Sequence, residues 1–144
     1  MPDMAFPKGT RSASSVGSFF LTILNNLVGE PAAWAASRPN DLFEVAAITV
    51  AELWHGVERA IEPHQSKRRK YLEAIVAALP VIPYTEQTAY EHARIWADLQ
   101  SIGRMIGAYD LIVAATALER GSQVASFNKR HFALVKGLHI IEPT

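Results

Sequence analysis

An α/β fold with a parallel sheet is predicted by three observations. Short apolar runs of strand length alternate with helical patterns, the signature of parallel strands covered by helices on both faces. Residues 43–48 are apolar nearly throughout, as expected of a strand buried on both sides. A chain of 144 residues is one domain's length and can bury a substantial core without staples.

The elements follow in order. Residues 1–18 are rich in Ser, Gly and Pro and read as a disordered lead, with a single domain over 19–144. Residues 19–28 are apolar and fit a strand or a helix; Gly29 and Pro31 break the run. Residues 32–37 read as a short helical piece, closed by Arg38-Pro39-Asn40-Asp41. After the strand at 43–48, Thr49 opens a helix. Its apolar face is Val50, Leu53, Trp54, Val57, Ala60 and Ile61; Glu52, His55, Gly56 and Arg59 share another.

Pro63 stops that helix, and Ser66 is placed to cap the next, with Leu72, Ile75, Val76 and Leu79 facing in. Residues 80–84 form a short strand bounded by prolines. Thr85 caps a helix with Ala89, Ala93, Trp96 and Leu99 inward, and Gly103 ends it. A further helix runs over 108–120, with Gly121 as its left-handed terminator. A strand at 123–127, a turn and short helix at 128–135, and a strand at 138–141 complete a sheet of about four or five strands.

Composition excludes several chemistries. There is no cysteine, so disulfides, thiolate metal sites and cysteine nucleophiles are ruled out, in keeping with a cytoplasmic protein. Lys+Arg and Asp+Glu are both 14, so any nucleic-acid contact must be a local patch rather than a global field. No run reaches the roughly 18 apolar residues of a membrane span. A signal peptide is not expected: the apolar run at 19–24 is short, Thr22 breaks it, and no A-x-A site follows.

Asp110 stands in the first turn of an otherwise apolar helix. It either complements the helix dipole or belongs to a site, since a half-buried carboxylate calls for a cation or water. Glu52 has two readings that coexist: the acid of a Thr49-Val50-Ala51-Glu52 capping box, or a site acid just after a strand. Asn128 is a turn former, or lines the same crevice from the end of a strand. Two carboxylates on separate helix starts, with an amide nearby, suit Mg²⁺, which takes oxygen ligands and is completed by water and phosphate. The five histidines are scattered without zinc spacing and read as surface or structural. Lys67-Arg68-Arg69-Lys70, and Lys129 with Arg130, either contact phosphates or face solvent. Trp54 and Trp96 read as core; Trp34 reads as core or a partner contact.

Three motifs carry a family resemblance. Ala47-Ile48-Thr49-Val50-Ala51-Glu52-Leu53-Trp54-His55-Gly56-Val57 resembles the second acidic motif of PIN-domain ribonucleases, in particular VapC-type toxins. Residues 106–117, around Asp110, resemble the third. Ala125-Ser126-Phe127-Asn128-Lys129-Arg130-His131-Phe132, followed by Gly137-Leu138, resembles the closing motif. The resemblance runs from about residue 40 onward. It implies a three-layer fold and a Mg²⁺- or Mn²⁺-dependent endoribonuclease, the toxin of a type II toxin–antitoxin system. It also implies a VapB-like antitoxin partner and a homodimer. Glu52 and Asp110 carry over as catalytic acids and metal ligands, and Asn128 as the fourth catalytic position; Lys129 and Arg130 are the RNA-binding candidates.

The chain departs from the family at the front. The family's first strand ends in an aspartate, expected near residues 15–20, where this chain has Ser14-Ser15-Val16-Gly17-Ser18. Asp3 follows no strand, and Asp41 precedes the wrong one. Either the acid is lost or residues 12–30 are translated out of frame. Either way, weakened metal affinity and weak or absent cleavage are expected. The alternative function is a catalytically impaired binding module that keeps antitoxin or dimer contacts. An unrelated phosphatase-like or receiver-like domain would need an aspartate ending the first strand, and none is present.

Overall fold

The structure, a computed structural model, describes the backbone of residues 18–21 and, in full, residues 37–126 and 128–142. The expected lead before Ser18, the helical piece at 32–36 and Trp34 lie outside the described residues. Five parallel strands form one sheet: β1 (Ser18–Leu21), β2 (Leu42–Ala46), β3 (Val81–Ile82), β4 (Gln123–Ala125) and β5 (Ile140–Ile141). Their order is β3-β2-β1-β4-β5, so β1 is central. Phe19 sits opposite Phe43 of β2 and Gln123 of β4; Leu21 sits opposite Ala125. The apolar run at 19–28 therefore begins as a strand, and the expected strand at 43–48 ends two residues early.

Among the described residues the helices are α1 (Ala47–Arg59), α2 (His64–Ala78), α3 (Glu86–Ser101), α4 (Ala108–Arg120) and α5 (Lys129–Phe132). The path from β1 to β2 to β3 runs one way across the sheet, and the path on to β4 and β5 runs back. Right-handed crossovers put helices of opposite sense on opposite faces, which gives three layers.

Several local expectations are corrected. The helix after β2 starts at Ala47 with Ala46 as its cap and no side-chain cap bond. Thr49 is thus two residues inside the helix, buried, with an Oγ1 that has no hydrogen-bond partner among the described residues, and the Thr49–Glu52 capping box does not form. Ile61 lies past the end of α1 and is 77% exposed. Ser66 does not cap α2 but lies inside it: the cap position is Pro63, with no side-chain cap bond, and Glu62 just before it reaches Ser66. The Glu62 carboxylate accepts the Ser66 N–H at 3.0 Å and the Ser66 hydroxyl at 2.8 Å. Val76 is exposed, while Leu72 is buried.

Helix α3 starts as expected: Thr85 Oγ1 accepts the Thr88 N–H, and Thr88 Oγ1 accepts the Thr85 N–H at 3.0 Å. Its buried face is turned by one residue. Thr88, Ile95 and Leu99 are buried, whereas Ala93 is exposed and Trp96 is 44% exposed. The reason is that α3 packs along α4, and Ile95 and Leu99 join the cluster built on Leu111, Val113, Ala114 and Ala117. Trp54 is not core either. Its indole donates to Glu58 at 3.1 Å, and the Arg69 guanidinium lies 5.5 Å from its ring centre, a cation–π contact that ties α1 to α2.

Helix α4 is the buried centre of the molecule. Six of its residues from Leu111 to Ala117 are buried, and Gly121 ends it at φ +71°, as expected of a glycine terminator. Small side chains let α3 approach closely. At its far end, Arg120 forms an ion pair with buried Glu44 in β2.

This packing has a direct test. Ile95→Ala will destabilise the fold by about 2–5 kcal/mol in urea unfolding. Trp96→Ala will cost less than about 1 kcal/mol. The reverse ranking would place the buried face of α3 wrongly.

Candidate active site

In an open parallel sheet, ligands bind beyond the carboxyl ends of the strands, where the strand order reverses. Here that reversal is at β1, between β2 and β4. The chain leaving β2 enters α1, which carries Glu52. The chain leaving β4 passes Ser126 and reaches Asn128 at the start of α5. Asp110 is the third residue of α4. The three sequence candidates are thus carried on neighbouring elements.

The hub is Asp110. Its side chain is 16% exposed, and its Oδ2 has two neighbours: Asn128 Nδ2 donates to it at 3.3 Å, and His131 Nδ1 lies 3.2 Å away. Asn128 is held in turn, its N–H donating to the Ser126 hydroxyl at 2.8 Å. Asn128 Nδ2 also lies 2.8 Å from His131 Nδ1, which closes a triangle of side chains.

Glu52 makes no hydrogen bond or ion pair among the described residues. Burial, and then the charge of Asp110, push its pKa up from 4.5 to about 6. No lysine or arginine pairs with either acid among the described residues. Two crowded carboxylates with hard oxygen donors and no counter-charge fit a divalent cation completed by water and phosphate. No cluster of three acidic, histidine or cysteine ligands exists among the described residues, which offer the site two carboxylates.

Lys129 and Arg130 are exposed beside Asn128 and make no ion pair among the described residues. The run at 67–70 is partly committed to structure: Arg68 donates to the Gly56 carbonyl at 3.3 Å and Arg69 covers Trp54, while Lys67 and Lys70 stay exposed. The residue that sequence reasoning missed is His131. Its position three residues after Asn128, one turn along α5, was the available signal. The first acid is still unassigned: residues 4–29 contain no Asp or Glu, although β1 ends at Leu21 within them.

A paired-acid crevice at the switch point of a five-stranded parallel sheet defines a class, and comparison with known proteins specifies it. The PIN domain family model matches residues 18–138, and the chain belongs to that family. It is 31% identical over 96 residues to the tRNA(fMet)-specific endonuclease VapC of Salmonella typhimurium, spanning 67% of this chain and 71% of that protein. It is 33% identical over 94 residues to ribonuclease VapC2 of Haemophilus influenzae, spanning 65% and 70%. The fold matches the structure of VapBC2 from Rickettsia felis bound to a promoter DNA fragment. That match has a TM-score of 0.77 and 17% identity, and covers 88% of this chain and 99% of the other.

The raised pKa of Glu52 fixes the sign of a pH effect. Because the folded pKa lies above the unfolded one, the folded state holds the proton more tightly, and stability falls as pH rises from about 4.5 to about 6. Glu52→Gln will remove that fall. It will be more stable than wild type at pH 7 by under about 1 kcal/mol after solvent screening. Metal-free thermal unfolding at pH 4.5 and pH 7 measures both; a Gln variant less stable than wild type at pH 7 contradicts the assignment.

Proposed function

We propose that this protein is a divalent-metal-dependent endoribonuclease, the toxin of a type II toxin–antitoxin pair, acting on cytoplasmic RNA as a single-domain homodimer restrained by a VapB-like antitoxin. One observation carries the reading: Glu52 and Asp110 lie within electrostatic reach of each other, with no lysine or arginine paired to either among the described residues, at the strand-order reversal of a PIN-family chain. The relatives named ribonucleases and the neighbouring VapBC complex support the substrate class and the partner.

Asp110 and Glu52 are the metal ligands in this reading, for Mg²⁺ or Mn²⁺. When bound, such an ion activates water and stabilises charge developing on a phosphodiester. Asn128 fixes the Asp110 carboxylate by its amide hydrogen bond, so that the acid's other oxygen stays available. Lys129 and Arg130 neutralise backbone phosphates next to the site, without reading sequence. The reaction adds water across a P–O bond.

Two protein carboxylates make a modest metal site, and RNA phosphate supplies part of the coordination. Metal affinity without RNA is therefore weak, and cleavage slow. In an assay on single-stranded RNA, Mg²⁺ or Mn²⁺ will support cleavage and EDTA will stop it. Asp110→Asn will abolish it, and Asn128→Ala will slow it by about 10–100-fold. EDTA-resistant cleavage, or full activity in Asp110→Asn, overturns the reading. A chain that binds an antitoxin peptide, takes up no metal and cuts no RNA is the impaired binding module instead.

A further inference from the structure

We propose that His131 is a substrate contact of this site: its Nε2–H donates to a non-bridging phosphate oxygen of the RNA backbone lying across Asp110. The inference rests on the ribonuclease reading and adds a residue to it. Three observations on the ring lead there.

The first is placement. The His131 side chain is 46% exposed while Asp110 beneath it is 16% exposed, so the ring forms the outer rim of the acid crevice. The second is orientation. Nδ1 is turned inward, 2.8 Å from Asn128 Nδ2 and 3.2 Å from Asp110 Oδ2, and in an imidazole this directs Nε2 to the opposite edge, away from both. Nε2 has no hydrogen-bond partner among the described residues. The third is polarity. Asn128 Nδ2 donates to Asp110 and faces Nδ1 at 2.8 Å. An Nδ1–H in a neutral ring would set two donors against each other, and turning the Asn128 amide over would set its carbonyl oxygen against the Asp110 carboxylate. Nδ1 thus faces a donor, Asn128 Nδ2, at 2.8 Å and an acceptor, Asp110 Oδ2, at 3.2 Å; a phosphate oxygen at Nε2 favours the tautomer in which the shorter contact is the hydrogen bond, with Nδ1 accepting from Asn128 and the ring proton on Nε2. The outward nitrogen is then a donor, which suits an anion and not a metal ion. Lys129 and Arg130 immediately precede it and are exposed, which gives the rim the local charge that a phosphate chain needs.

A histidine that only buttresses Asp110 would work through Nδ1; a phosphate contact works through Nε2. Asparagine places its amide near Nδ1, and glutamine places its amide near Nε2, so the full-length variants His131→Asn, His131→Gln and His131→Ala separate the two. Binding is read by fluorescence anisotropy of a labelled single-stranded RNA in Ca²⁺, and turnover in Mn²⁺. His131→Ala and His131→Asn will raise the RNA Kd and KM by about tenfold, and His131→Gln will stay within about threefold of wild type. Mn²⁺ affinity without RNA will be unchanged in all three. RNA binding that survives in Asn and fails in Gln, or that is unchanged in every variant, overturns the proposal while leaving the nuclease reading intact. A wild-type chain that neither binds nor cuts RNA overturns both.

Discussion

The structure depends on one unfavourable contact. Asp110 and Glu52 are partly buried near each other, and no lysine or arginine relieves them among the described residues. Burial first, and the charge of Asp110 second, disfavour the ionised form of Glu52 and push its pKa up to about 6. A fold keeps such a contact only where the surrounding packing over-determines it, and where a proton, a cation or a ligand relieves it in use.

The packing supplies that constraint from two sides. Helix α4 is buried along most of its length, so Asp110 in its first turn cannot swing away from the crevice. The Arg120–Glu44 ion pair ties the other end of the same helix to β2. Strand β2 passes into α1 with no intervening residue, which commits the first turns of α1, and Glu52 with them, to the end of the sheet. Ser126 holds the Asn128 backbone, and Asn128 holds Asp110. The acids are fixed by rigid elements, and the histidine and the two basic residues form a more exposed rim around them.

Much of this was legible in the sequence, for identifiable reasons. Asp110 stood out because an isolated acid in a run of Ala, Val, Ile and Leu has no simple place in a core. Thr85 and Gly121 marked helix ends because capping and the left-handed turn have strict residue preferences. The errors came where tertiary packing outweighed local pattern. Thr49 and Glu52 have the spacing of a capping box, but the helix starts two residues earlier because β2 runs straight into it. The α3 face was misassigned by one residue because both Trp96 and Ile95 are apolar, and only the groove along α4 decides between them. His131 was passed over because a lone histidine has no periodic signature; its role depends on Asp110, far away in sequence and adjacent in space. The missing first acid was readable as an absence, since residues 4–29 carry no carboxylate.

The central claim is that Glu52 and Asp110 are coupled acids awaiting a cation, and the carboxyl signals of Glu52 report it directly. A carbon-13 NMR titration of Glu52, with and without Mg²⁺, is the decisive measurement. The account predicts a midpoint near pH 6 without metal that moves down on adding Mg²⁺, and also moves down in Asp110→Asn. A Glu52 that titrates as an ordinary exposed carboxylate, and is indifferent to both Mg²⁺ and the loss of Asp110, would contradict it.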